Sequence, residues 1–161
     1  MNGNTDIWTR EQTIIAFGLY CRIPFNKCNA NHPEIMRVAK IIGRTPAALN
    51  RKLGNIGRLD PSLAAKGITG LTHGAHLEEE VWEEFANNPE DLAYESSRLL
   101  AEYTANPIEV EAKIDLNNLP PGEERVRAVR QRVGQKFFRD TVLASYNNRC
   151  CVSGVGTTEL L

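Results

Sequence analysis

Apolar positions recur at helical spacing along most of the chain, and they predict a mainly α protein. The first stretch, Trp8–Tyr20, opens with Thr9 and Gln12 three residues apart, a capping-box pattern, and carries Ile14, Ile15, Phe17 and Leu19 as an apolar face. Residues 22–31 read as a loop broken by Pro24. Pro33 then opens a second helix at the favoured first-turn position, with Ile35, Val38, Ala39 and Ile42 inward and Gly43 ending it. Thr45-Pro46 restarts the chain as cap plus first turn of a third helix through Ala48, Leu49 and Leu53. Asp60-Pro61 marks a break before a short helix over Ser62–Lys66, and residues 67–74 form a glycine-rich loop. A fourth main helix is expected over about Ala75–Asn87, with Val81, Trp82 and Phe85 inside, and another over about Pro89–Tyr103.

Beyond Asn106 the periodicity lapses. The run to Glu123 holds Pro107, Pro120, Pro121 and Gly122 and reads as a linker, extended at most over Ile108–Ile114. Glu124–Tyr146 gives a last amphipathic helix through Val129, Val133 and Phe137. Residues 150–161 look like the start of a hairpin. The expected architecture is a helical bundle with a helix-turn-helix-like unit and a short β or extended C-terminal segment. Its parts are a recognition domain over 1–105, a linker over 106–123 and a basic helix with its continuation over 124–161.

A 161-residue chain with 42% hydrophobic and 24% charged residues suits a soluble globular protein. No apolar run approaches the ~20 residues of a membrane span, and Met1-Asn2-Gly3-Asn4 opens no signal peptide. The net charge of −1 argues against a nucleic-acid partner until it is divided along the chain. Residues 1–76 carry +6, residues 77–124 carry −12, and residues 125–161 carry +5. Basic ends around an acidic middle suit a polyanion partner, or segments that neutralise each other.

The second and third helices fit a helix-turn-helix. Ala39 stands where the helices approach, Gly43 follows at the turn, and Leu49 locks the third helix against the second. The rest of the third helix offers Thr45, Asn50, Arg51 and Lys52, with Arg44 before it and Arg58 after. Arginine and lysine suit phosphate or guanine, asparagine suits adenine, and the helix N-terminus suits a phosphate oxygen. The alternative is a helical hairpin with a solvated basic face. Arg22 and Lys27, near the end of the first helix, and Arg130 and Arg132, on the last, are further candidate DNA contacts. The last helix can instead offset the acidic helices.

Other chemistry finds little support. Cys21, Cys28, Cys150 and Cys151 form no CxxC pair and read as free thiols. His32, His73 and His76 show no metal-ligand spacing, so neither a metal nor another cofactor is expected. The acidic groups Glu78–Glu80 and Glu83-Glu84 read as a solvated helix face.

Two stretches resemble a known family. Arg132-Val133-Gly134-Gln135, Phe138-Arg139, Val142-Leu143, Tyr146, Cys150, Val152-Ser153-Gly154 and Glu159-Leu160-Leu161 resemble the lead-in to the catalytic module of bacterial HNH endonucleases. Trp8-Thr9, Ile23-Pro24-Phe25, Pro33-Glu34-Ile35, Gly43-Arg44-Thr45-Pro46, Leu59-Asp60-Pro61 and Val81-Trp82-Glu83-Glu84-Phe85 resemble the N-terminal domain often joined to it. The metal-binding and water-activating histidines of that module follow the point where this sequence stops, and none of the three histidines matches them. The resemblance therefore implies a non-catalytic recognition part, with a divalent metal expected only in the HNH module.

Some type IV restriction endonucleases of this architecture carry a sulfur-binding domain that recognises phosphorothioate DNA. The resemblance thus implies double-stranded DNA, phosphorothioate-modified, as the partner, a bacterial cytoplasmic setting, no membrane and a possible homodimer. Sulfur is larger, softer and less hydrated than oxygen, so an apolar cup beside cations can prefer it. Phe25, Pro33, Pro46, Ala47 and Leu71 are the candidate cup walls. The alternatives are a reader of methylated or unmodified DNA and a protein-interaction or dimerisation module.

Overall fold

The computed structural model describes residues 7–157. They form eight α-helices: α1 (Arg10–Arg22), α2 (Pro33–Ile41), α3 (Pro46–Gly57), α4 (Pro61–Ala65), α5 (His76–Phe85), α6 (Pro89–Thr104), α7 (Ile108–Glu111) and α8 (Glu123–Ser145). A 3-10 turn over Phe25–Lys27 follows α1. No strand occurs among the described residues, and the fold is mainly α.

Helix α1 is the axis of the bundle. Its residues from Gln12 to Tyr20 are all buried, because α3, α5, α6 and α8 pack around it. The capping box at its start is present: the Gln12 amide donates to Thr9 Oγ1 (3.2 Å), and the Thr9 amide donates to Gln12 Oε1 (3.3 Å). Helices α2, α3, α4 and α6 all begin at proline. The restricted residue before each proline stays non-helical, and His32, Thr45 and Asp60 use their side chains to cap an N-terminal amide.

Helix α8 shares the core. Val129, Val133 and Phe137 join one buried cluster with α1 and α6 residues. The segment expected as a linker holds α7 and packs Ile108, Ala112, Ile114 and Leu119 against that core. The extended reading of Ile108–Ile114 is corrected. The Pro107 carbonyl accepts from the Val110 (3.0 Å) and Glu111 (3.3 Å) amides, closing a single helical turn too short to show a period. In place of a strand, residues 150–155 close a loop in which the Cys150 amide donates to the Val155 carbonyl (2.8 Å). The remainder of the expected hairpin, with Glu159, Leu160 and Leu161, lies outside the described residues.

Candidate nucleic-acid interface

Helices α2 and α3 form the helix-turn-helix unit. Ala39 and Leu49 have no exposed surface, so the helices meet at a small residue and a leucine. Gly43 takes φ +70°, a region only glycine enters cheaply, and a Cβ there would meet nothing within 4 Å. The requirement for glycine is therefore conformational. The Arg44 amide donates back to the Ala39 carbonyl (2.8 Å), closing the turn. Gln12 Nε2 donates to the Ile42 carbonyl (3.0 Å) and fastens the turn to α1.

The candidate contacts on this unit divide into two groups. Thr45, Ala47 and Arg51 are exposed along α3, and Arg51 has no ion pair or hydrogen bond among the described residues. Asn50 is half-buried beside them, with its Oδ1 lacking a donor among the described residues. Thr45 Oγ1 accepts from the Ala48 amide (3.1 Å), and Pro46 has no amide hydrogen. The Ala47 amide is the donor the first turn leaves for an anion.

The second group is held inside. Lys52 is 4% exposed, and its ammonium lies 2.5 Å from Glu78 Oε1. The same carboxylate accepts from the Ala75 amide (2.6 Å) and Asn55 Nδ2 (3.4 Å). Arg58 donates to Glu79 Oε1 (2.9 Å). Arg44 donates to Gln12 Oε1 (2.9 Å) and stacks over Trp8, with Lys52 also 4.8 Å from that ring centre.

The remaining cations lie elsewhere. Arg130 pairs with Asp91 and stacks over Tyr94 at 4.7 Å. Arg132 donates to the carbonyls of Asp115 and Asn117. Arg22 and Lys27 line a cleft between α1, α2, α7 and α8 that contains no α3 residue.

The five candidate cup residues do not share a main cavity. Phe25 lines one with Leu63 and Ile68, while Pro33, Pro46, Ala47 and Leu71 line neither that cavity nor the two clefts beside α8. Leu71 lies instead on α3. Its amide donates to the Gly54 carbonyl (3.2 Å), and a Cβ on Gly54 would stand 3.2 Å from Leu71 Cδ1. Gly70 and Gly74 bring this loop against Arg58: a Cβ on Gly70 would fall 2.3 Å from the Arg58 amide nitrogen. Leu71, 47% exposed, thus sits one helical turn from Arg51, with Ala47 one turn the other way.

Trp8, Gln12 and Glu78 shape this site without having been read as part of it. The signals were present. Lys52 stands three residues after Leu49 and four before Ile56, on the buried stripe of α3. Glu78 likewise stands three before Val81 and seven before Phe85.

Among the described residues no group of three or more His, Cys, Asp or Glu side chains is placed to hold a metal ion. The four cysteines are free thiols. No helix among the described residues is long and apolar enough to cross a membrane. No family model, curated protein or solved structure matches this chain.

Proposed function

We propose that this chain is a DNA-binding domain that reads duplex DNA with the exposed face of α3, and that its preferred target carries a phosphorothioate linkage. It serves, on this reading, as the recognition part of an HNH restriction endonuclease, with strand cleavage left to the HNH module. The observation that carries the proposal is Arg51, exposed and without a partner among the described residues on the second helix of a helix-turn-helix, between Ala47 and Leu71. The guanidinium and the Ala47 amide supply donors to a phosphate. The methyl groups of Ala47 and Leu71 offer a softly solvated sulfur an apolar neighbour that a hydrated oxygen gains nothing from.

Gel-shift titration at fixed salt, with matched duplexes that differ by one phosphorothioate, tests this. The expected result is tighter binding of the sulfur-containing duplex, with affinity lost in Arg51→Ala and the sulfur preference reduced in Leu71→Ser. Equal affinity for both duplexes removes the sulfur reading and leaves a reader of methylated or unmodified DNA. Failure to bind any duplex at low salt favours the protein-interaction module, for which the exposed Glu80, Glu83 and Glu90 of α5 and α6 are the available acidic surface.

A further inference from the structure

We propose that the cleft where the C-terminal end of α1 meets α2, α7 and α8 is a binding site for a phosphate group, either free or at the end of a polynucleotide. This inference does not depend on the reading of α3. The cleft encloses about 360 Å³ and is lined by five cationic and three carboxylate side chains. The carboxylates are already matched. Arg37 pairs with Glu34 and Glu111 (both 3.2 Å), Lys113 with Glu34 (3.4 Å), and Lys136 with Asp140 (2.6 Å). Arg22 and Lys27 are left with no ion pair among the described residues, a surplus of two positive charges.

Arg22 is the centre of the site. Its Nε donates to the Gly18 carbonyl (3.0 Å), which fixes the plane of the guanidinium, and both terminal nitrogens lack a hydrogen-bond partner among the described residues. Burial pulls its pKa below the ordinary value, with Arg37 adding to the effect and Asp140 and Glu34 opposing it. A recessed guanidinium with an unused fork is costly to leave without a counter-charge. A phosphate oxygen pair fits that fork in bidentate fashion, and Lys27 at the mouth supplies the second charge. A carboxylate matches the fork but only one of the two charges, so the charge surplus selects a dianion. A phosphodiester within a duplex carries one negative charge, so the surplus of two favours a terminal or free phosphate.

The test is calorimetric titration of the whole chain above neutral pH with inorganic phosphate, against sodium chloride of equal ionic strength. Saturable binding of phosphate and none of chloride is expected. Arg22→Gln should weaken it at least about tenfold, the scale of losing charge-assisted hydrogen bonds. Lys27→Ala, an exposed change with no bearing on folding, should weaken it severalfold. Lys40→Ala removes an exposed cation outside the cleft and should leave it intact. A 5′-phosphorylated oligonucleotide and its 5′-hydroxyl counterpart separate the sources: Arg22-dependent preference for the phosphorylated strand assigns a polynucleotide end, and binding of inorganic phosphate alone assigns a small anion. Equal heats from phosphate and chloride, or unchanged phosphate affinity in folded Arg22→Gln and Lys27→Ala, overturn the proposal.

Discussion

Lys52 meets the Glu78 carboxylate at 2.5 Å beneath the protein surface, while Arg51, its neighbour in the chain, reaches solvent. Removing one partner of a buried pair strands the other, which costs about 3 kcal/mol or more. Lys52→Ala should therefore lower the unfolding free energy by about that amount in urea titration. Arg51→Ala should change it by less than about 0.5 kcal/mol, as an exposed site does, while weakening the proposed binding to DNA. Equal stability losses in the two variants would contradict the buried-pair assignment. Tyr20 makes a second residue-level case. Its hydroxyl donates to Asp60 Oδ2 (2.7 Å), and Asp60 Oδ1 accepts the Ser62 amide (2.8 Å) that caps α4. Burial alone would raise the Asp60 carboxyl, but the bonds from Ser62 and Tyr20 outweigh it and hold the carboxyl below its ordinary value. The stability contributed by ionised Asp60 is thus present above an unfolded value of ~3.9 and lost as pH falls through the lower folded one. Tyr20→Phe keeps the ring and removes the donor. It should cost about 1.5 kcal/mol at neutral pH and progressively less toward pH ~3, measured by urea unfolding across that range.

At the scale of elements, α1 and α6 make the most extensive helix pairing among the described residues, and they approach closely at Gly18. A Cβ on Gly18 would lie 2.5 Å from Ser96 Oγ and 2.6 Å from Ser96 Cβ, so the two backbones meet because neither residue is large. Gly18→Ala should destabilise by about 2 kcal/mol through overpacking. Adding Ser96→Gly should recover part of the loss, with a coupling energy of about 1 kcal/mol in a double-mutant cycle from thermal or urea unfolding. Simple additivity would place the strain elsewhere. Elements of this kind were unevenly legible. The proline-started helices, the Thr9–Gln12 cap and the Ala39–Gly43–Leu49 turn are local devices, and each is written in adjacent residues. Helix α7 spans four residues, too few for a period. The seating of α8 on α1 joins chain separated by a hundred residues or more, and its seating on α6 spans tens, which no local pattern encodes. The candidate site divides the same way. The helix that carries it was legible from spacing, but the side of that helix on which Lys52 falls depended on weighing its position over its charge.

For the molecule as a whole, the basic, acidic and basic segments fold onto one another. Lys52 meets Glu78, Arg58 meets Glu79, Arg10 meets Glu84, Arg37 meets Glu111, Arg125 meets Glu109 and Arg130 meets Asp91, each pair joining a basic segment to the acidic middle. Segment charge therefore overstates what the surface offers a polyanion. This has a measurable consequence for the proposed DNA binding. Each neutralised phosphate contributes about −0.9 to the slope of log affinity against log salt. Eight cations in contact would give a slope of about −7. With Arg44, Lys52, Arg58, Arg130 and Arg132 engaged within the protein, the free contributors are Arg51 and at most Arg22 and Lys27. The expected slope lies between about −1 and −3, measured by fluorescence anisotropy with a labelled duplex over a range of salt concentrations. A slope near −7 would mean that the internal pairs open when DNA binds, and affinity would then carry the cost of unpairing Glu78 in the core. A shallow slope would instead leave discrimination, on the proposed reading, to short-range contacts along α3 around Arg51, where salt has little purchase.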